Sequence, residues 1–170
     1  MKKNIIIYGL FAGFVVSFLM LFSMSLSIKD LNISMIIGYA SMLIAFSFVF
    51  VGIKNYRDKF NGGVISFGNA FKIGIMIVLI ASTIYVISWL INYFFFNPDY
   101  LEKYTAQMLD KLKANGASQI EIDKEAKEMT DFASMYKNPF FNAMMTYMEI
   151  LPVGLVVTLI SSFILKRKAA

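Results

Sequence analysis

Residues 73–98 read IGIMIVLIASTIYVISWLINYFFFNP, twenty-six positions without one Asp, Glu, Lys or Arg. A helix needs about 20 apolar residues to cross a hydrocarbon layer about 30 Å thick, and this run is long enough. Outward from it, residues 4–28 and 31–53 are equally free of charge, and 138–165 carries one charge, Glu149. The chain has 170 residues, 58% of them hydrophobic, and a mean hydropathy of +0.66. Soluble domains run near about 45–50% apolar, so four such runs exclude a water-soluble core. The reading is an all-α membrane protein with four transmembrane helices in a bundle. The spans fall at about 5–28, 33–53, 70–96 and 140–165.

Lys2 and Lys3 precede the first run, as they would in a signal peptide. A signal's apolar region is only about 7–15 residues and ends in a small-x-small site. Here the run is longer, and Ser25-Leu26-Ser27 imitates that site poorly, so the segment reads as a retained span. Four spans put both termini on one side, together with a basic loop at 54–69. That side holds Lys2, Lys3, Lys54, Arg57, Lys59, Lys72, Lys166, Arg167 and Lys168 against the single acid Asp58. The other side carries seven lysines and nine acids. Basic residues packed beside span ends face the cytoplasm, which predicts both termini inside. Lys54, Arg57, Lys59, Lys166, Arg167 and Lys168 are the candidate anchors to lipid headgroups. The net charge of +5 therefore points to a lipid bilayer as partner, and not to nucleic acid.

Between the third and fourth spans, residues 97–138 predict an extracytoplasmic helical hairpin. Asn97-Pro98 resembles a cap followed by proline at the first helical position. Leu101, Tyr104, Met108 and Leu112 recur at helical spacing until Asn115-Gly116. Ser118 with Glu121 fits a capping box, and Ile122, Ala126, Met129, Phe132 and Tyr136 continue the period to Asn138-Pro139. Small residues mark helix contacts: Gly9, Gly13 and Ser17; Gly38, Ser41 and Ala45; Ala70 and Gly74; Gly154, Thr158 and Ser161 or Ser162. Lipid supplies no hydrophobic drive between helices, so close backbone approach at such residues holds a bundle together.

The stretches GIKNYRDKFNGGVISFGNAFKIG (52–74), ASTIYVISW (81–89) and EILPVGLVVTLISSFILKRK (149–168) carry a resemblance. Over essentially the whole chain the sequence is similar to a four-span bacterial membrane family, domain of unknown function 4199, typical of Bacteroidetes. The resemblance implies residence in the bacterial inner (cytoplasmic) membrane and no established activity. It supplies no catalytic or ligand residues.

Glu149 is the anomaly. It stands 17 residues before Lys166, about 25 Å along a helix, in the far part of the hydrocarbon. A charge there is costly, and such residues usually face a bundle interior or a cavity. No Lys or Arg lies inside any span except Lys72, at the opposite end of the third from Glu149. Polar groups expected near its depth are Tyr85, Ser88 and Asn92 on the third span, with Tyr39 and Ser41 on the second. Two states follow: a neutral acid hydrogen-bonded to Asn92, Ser88 or a tyrosine, or a carboxylate reached by water. Pro152 removes the helical bond to the Met148 carbonyl one turn away. Together Glu149, Pro152, Asn92, Ser88 and Tyr85 form a candidate intramembrane polar site that sets a helix angle or handles protons or cations.

The chain has no Cys and no His, which removes thiol catalysis, imidazole bases and the usual zinc sites. Met144, Met145 and Met148 offer thioethers, but at helical spacing they read as packing, and no metal or cofactor is expected. The function expected is that of a non-enzymatic accessory or scaffolding membrane subunit, as a homo-oligomer or with a membrane-protein partner. The alternative is a small proton- or cation-linked transporter or permeation unit centred on Glu149.

Overall fold

The computed structural model describes residues 1–26, 28 and 30–167. Lys168, one of the expected headgroup anchors, lies outside the described residues, as do Ser27 and Lys29. Among the described residues are six α-helices: α1 (Lys2–Ser25), α2 (Leu31–Phe60), α3 (Phe67–Ile91), α4 (Tyr100–Ala114), α5 (Gln119–Tyr136) and α6 (Pro139–Leu165). A π-helical turn, Asn92–Phe96, extends α3. The helices α1, α2, α3 with its π turn, and α6 are long and apolar enough to cross a membrane. They are apolar all round, which is how a helix reads when hydrocarbon covers the faces its neighbours do not.

The contacts of the glycines set the directions of the helices. Gly9 lies against Ile80 and Gly13 against Ile84, so α1 and α3 run parallel. Gly74 lies against Thr158 and Gly154 against Val78, so α6 runs opposite to α3. Gly52 meets Tyr8 and Ile77, which turns α2 the same way as α6. Both α1 and α6 pack on α2 and on α3, forming a diamond with α2 and α3 across its short diagonal. Three of the four small-residue stripes are used in this way. The fourth is used only in part: Ser41 and Ala45 are buried, but Gly38 faces open space, because α2 has no buried residue before Ser41.

The helix ends depart from the sequence reading in three places. The basic segment 54–60 is not loop but the last two turns of α2. Nothing breaks the helix before Asn61-Gly62-Gly63, and Arg57 and Lys59 in the last turn suit its negative pole. The connection shrinks to 61–66, where Gly62 and Gly63 adopt positive φ. Second, Asn97 does not cap α4. Asn97-Pro98-Asp99 makes a turn closed by Tyr100 N–H donating to the Asn97 carbonyl (3.1 Å), and α4 begins at Tyr100. The cap-then-proline device operates at the next Asn-Pro instead, where Asn138 Oδ1 accepts from the Phe140 amide at 2.9 Å. Third, Tyr104 lies on the outward side of α4, while Thr105 turns inward.

The capping box at Ser118 and Glu121 forms in full, and Gly116 terminates α4 with φ of 78°. The hairpin crosses one end of the bundle. Leu101 joins the buried core of the bundle there, and Lys111 Nζ donates to Asn32 Oδ1 at the start of α2 (2.9 Å). At the opposite end Ile65 and Arg167 exchange backbone hydrogen bonds of 2.9 and 2.8 Å, tying the chain after α6 to the α2–α3 turn.

Candidate functional site

Helices α2 and α6 run in register, with Phe46 against Gly154 and Arg57 against Leu165. The same offset sets Glu149 level with Ser41, near the hairpin end of the bundle. Glu149 is three residues after Thr146 and seven after Asn142, both buried, so it stands on the flank of the packed face of α6. There the residue is exposed. Its carboxyl nonetheless lies close enough to the buried Tyr85, and to Tyr100 and Tyr136, to act on them. None of the ion pairs among the described residues involves it.

The other members of the predicted site divide. Tyr85 is buried and lies within electrostatic reach of Glu149. Pro152 is exposed one turn below Glu149, beside an apolar groove between α3 and α6 that Tyr147 bridges by donating to Thr83 Oγ1 (2.9 Å). Asn92 is engaged elsewhere: its Nδ2 donates to Met24 Sδ (3.2 Å), and its Oδ1 accepts from Asn97 Nδ2 (2.9 Å). Ser88 turns toward α1, in a shallow groove with Ser17 and Ile84. Among the headgroup anchors, Lys54, Lys59, Lys166 and Arg167 are exposed. Arg57 is not free. Its Nε donates to Asp58 at 2.6 Å and its Nη1 to the Leu165 carbonyl at 3.3 Å, so it caps the end of α6.

A second polar group, which weighing charge alone does not reveal, is more completely buried. Asn142 is fully buried on α6. Its Oδ1 accepts from the Trp89 indole N–H at 2.9 Å, and its Nδ2 donates to the Tyr136 carbonyl at 3.4 Å. Thr146 Oγ1 donates to the Asn142 carbonyl at 2.8 Å. Rings close over this hub: Trp89 meets Tyr100 edge-on at 5.0 Å, and Tyr93 meets Tyr136 at 5.4 Å. Hairpin, α3 and α6 are joined here. The signal was present in the sequence as the only Trp and as Asn142 and Thr146 at i, i+4 spacing in an apolar run.

The tyrosines of the hairpin record this environment. Burial pushes the Tyr100 hydroxyl up to about 12, and the nearby Glu149 carboxylate adds to the effect. Burial also raises Tyr136, against the opposing pull of hydrogen bonds with Thr146 and Trp89. An exposed tyrosine titrates near about 10. The fold therefore keeps these phenols neutral where the unfolded chain ionises them. Their contribution to stability is complete below about pH 10 and is lost as pH rises toward 12. A spectrophotometric titration should show a late subset among the nine tyrosines, with faster amide exchange in α4 and α5 over the same window. All nine titrating together near 10 would contradict the packing described.

Chemically, this end of the molecule presents one carboxyl on an exposed residue, a backbone carbonyl freed by Pro152, and a sealed hydrogen-bonded hub. No group of three or more His, Cys, Asp or Glu side chains gathers among the described residues. No curated protein and no solved structure matches the chain. The family model for a protein of unknown function (DUF4199) matches residues 6–167, and the chain belongs to that family.

Proposed function

We propose that this multi-pass membrane protein is a non-enzymatic accessory or scaffolding subunit of the bacterial cytoplasmic membrane, with both termini in the cytoplasm and the hairpin outside. The observation that carries the reading is the hairpin itself. It is ordered by its own caps, fixed to the bundle through the Asn142 hub, and presents a face rich in both signs of charge away from it. A rigid, charged platform on a lipid-embedded stem suits association with another component. Purification under native conditions should recover one stoichiometric partner or a defined homo-oligomer. A monodisperse monomer and nothing else would count against it.

A second reading, permeation of protons or cations at Glu149, is favoured by the acid beside Pro152. Beneath Glu149, however, Met42, Phe46, Val78 and Ile150 form a layer with essentially no exposure. A route through one chain is closed there, so this reading needs a path between copies. Proteoliposomes as tight to protons as empty vesicles would end it.

A further inference from the structure

Along the flank where α3 meets α6 the bundle leaves an open groove of about 780 Å³, walled by apolar side chains such as Leu79, Met144, Met148 and Leu155. One polar feature interrupts it. Tyr147 donates to Thr83 Oγ1 at 2.9 Å on the outside of the bundle, and Thr83 stands near the middle of its span, Phe67–Phe96. Thr83 in turn donates to the Leu79 carbonyl at 2.8 Å. That carbonyl already belongs to the ladder of α3, so the Thr83 proton can be re-aimed without leaving it bare. The phenolic oxygen of Tyr147 keeps an acceptor site to offer. Lipid tails can fill the groove but can use neither group, and polar groups at this depth call for a protein partner.

We propose that the α3–α6 flank is the face on which two copies of this chain associate, about a two-fold axis along the bilayer normal beside Thr83 and Tyr147. Such an axis brings both hydroxyl pairs together at one depth. Each of the four hydroxyls can then donate once and accept once, in a closed ring that alternates tyrosine and threonine and runs through both copies. A two-fold contact is self-complementary, so the α6 ridge of each copy enters the groove of the other. Met144 and Met148 form that ridge; both are exposed, and flexible thioethers adapt to a facing surface. In hydrocarbon, close packing and interhelical hydrogen bonds drive association, and this flank supplies both. The inference rests on the reading of the chain as an associating subunit and names a second copy as the partner.

The chain has no cysteine, so single replacements report contacts directly. In membranes, Met144→Cys and Met148→Cys should form disulfide-linked dimers on oxidation, while Phe14→Cys and Ile36→Cys, exposed on α1 and α2, should not. Energy transfer between full-length copies labelled at the amino terminus, in liposomes diluted with lipid, gives the affinity. Thr83→Val and Tyr147→Phe should each weaken it about five- to tenfold. Ser47→Ala removes an exposed hydroxyl bonded only within α2 and should leave it unchanged. If either hydroxyl variant fails to fold, the cysteine series decides alone. Cross-linking at Phe14 or Ile36 in place of Met144 and Met148 overturns the assignment, with the subunit reading intact. An affinity unchanged in both hydroxyl variants overturns it as well. Absence of energy transfer at every dilution overturns it and leaves the groove to lipid tails; a different stoichiometric partner recovered from the native membrane would then still uphold the subunit reading.

Discussion

Replacing Gly154 with leucine is expected to cost the bundle about 3 kcal/mol or more, enough to lose the folded state in mild detergent. At Gly154 three helices converge. A methyl placed there would overlap both methyl groups of Val78 on α3 and come within 3.0 Å of Phe46 Cζ on α2, and both neighbours have zero exposure. Neither can move aside without displacing its own helix. Gly154→Ala should cost less, about 1–2 kcal/mol, because one methyl asks for less room. The obstruction is specific, so Val78→Ala should restore part of the loss in the Gly154→Ala background, although alone it costs about 1–2 kcal/mol. A coupling near 1 kcal/mol in that cycle is the expected signature of direct contact. Gly38→Ala serves as the contrast: nothing lies within 4 Å of the added atom, and helix propensity favours alanine by about 1 kcal/mol. Denaturation in detergent, followed by circular dichroism, measures the five variants against wild type. Additive effects at 154 and 78 would show that α3 and α6 do not cross where the fold places them.

How far the sequence carries this architecture depends on which physical effect governs each part. Charge-free length governs the spans, and length is legible in one dimension, so the four long helices and their alternating directions agree with the sequence reading. Capping is local, and the Ser118–Glu121 box was legible for the same reason. Asn97-Pro98 failed because its pattern is shared with a plain turn. The π turn at Asn92–Phe96 decides between them, drawing the Asn97 side chain back onto Asn92. Gly38 reads as a contact residue because spacing cannot report that none of the first ten residues of α2 is buried. Asn92 and Ser88 stand apart from Glu149, because the contacts of Gly74 with Thr158 and of Gly154 with Val78 set Glu149 level with Thr83, and Asn92 and Ser88 both lie nearer the hairpin end. Relative depth depends on how antiparallel helices are set against each other, which counting along each one does not give. The side a helix presents depends on how its neighbours lean, and no count of residues contains that.

The Asn142 hub makes the second large prediction. Asn142→Leu keeps the branched outline of the side chain, with two methyls bulkier than the amide, and leaves the Trp89 indole N–H without its acceptor and the Tyr136 carbonyl without its donor. A buried donor left unpaired costs about 1–3 kcal/mol, so a loss of about 2 kcal/mol is expected. Because Trp89 is the only tryptophan, its emission should shift to longer wavelength as water reaches the ring. Amide exchange in α5 should quicken while that of α1 changes little, since α1 does not share the hub. Adding Trp89→Phe should recover most of the stability, because an apolar pair leaves no orphaned donor, and replacing both partners can be nearly neutral. That recovery separates a lost hydrogen bond from a damaged core, which a second truncation would only worsen. Exchange in α5 that stays slow in Asn142→Leu would mean that the ring contacts, Trp89 with Tyr100 and Tyr93 with Tyr136, hold the hairpin unaided. The platform would then be fastened by aromatic packing, and the amide network would merely fill the space beneath it.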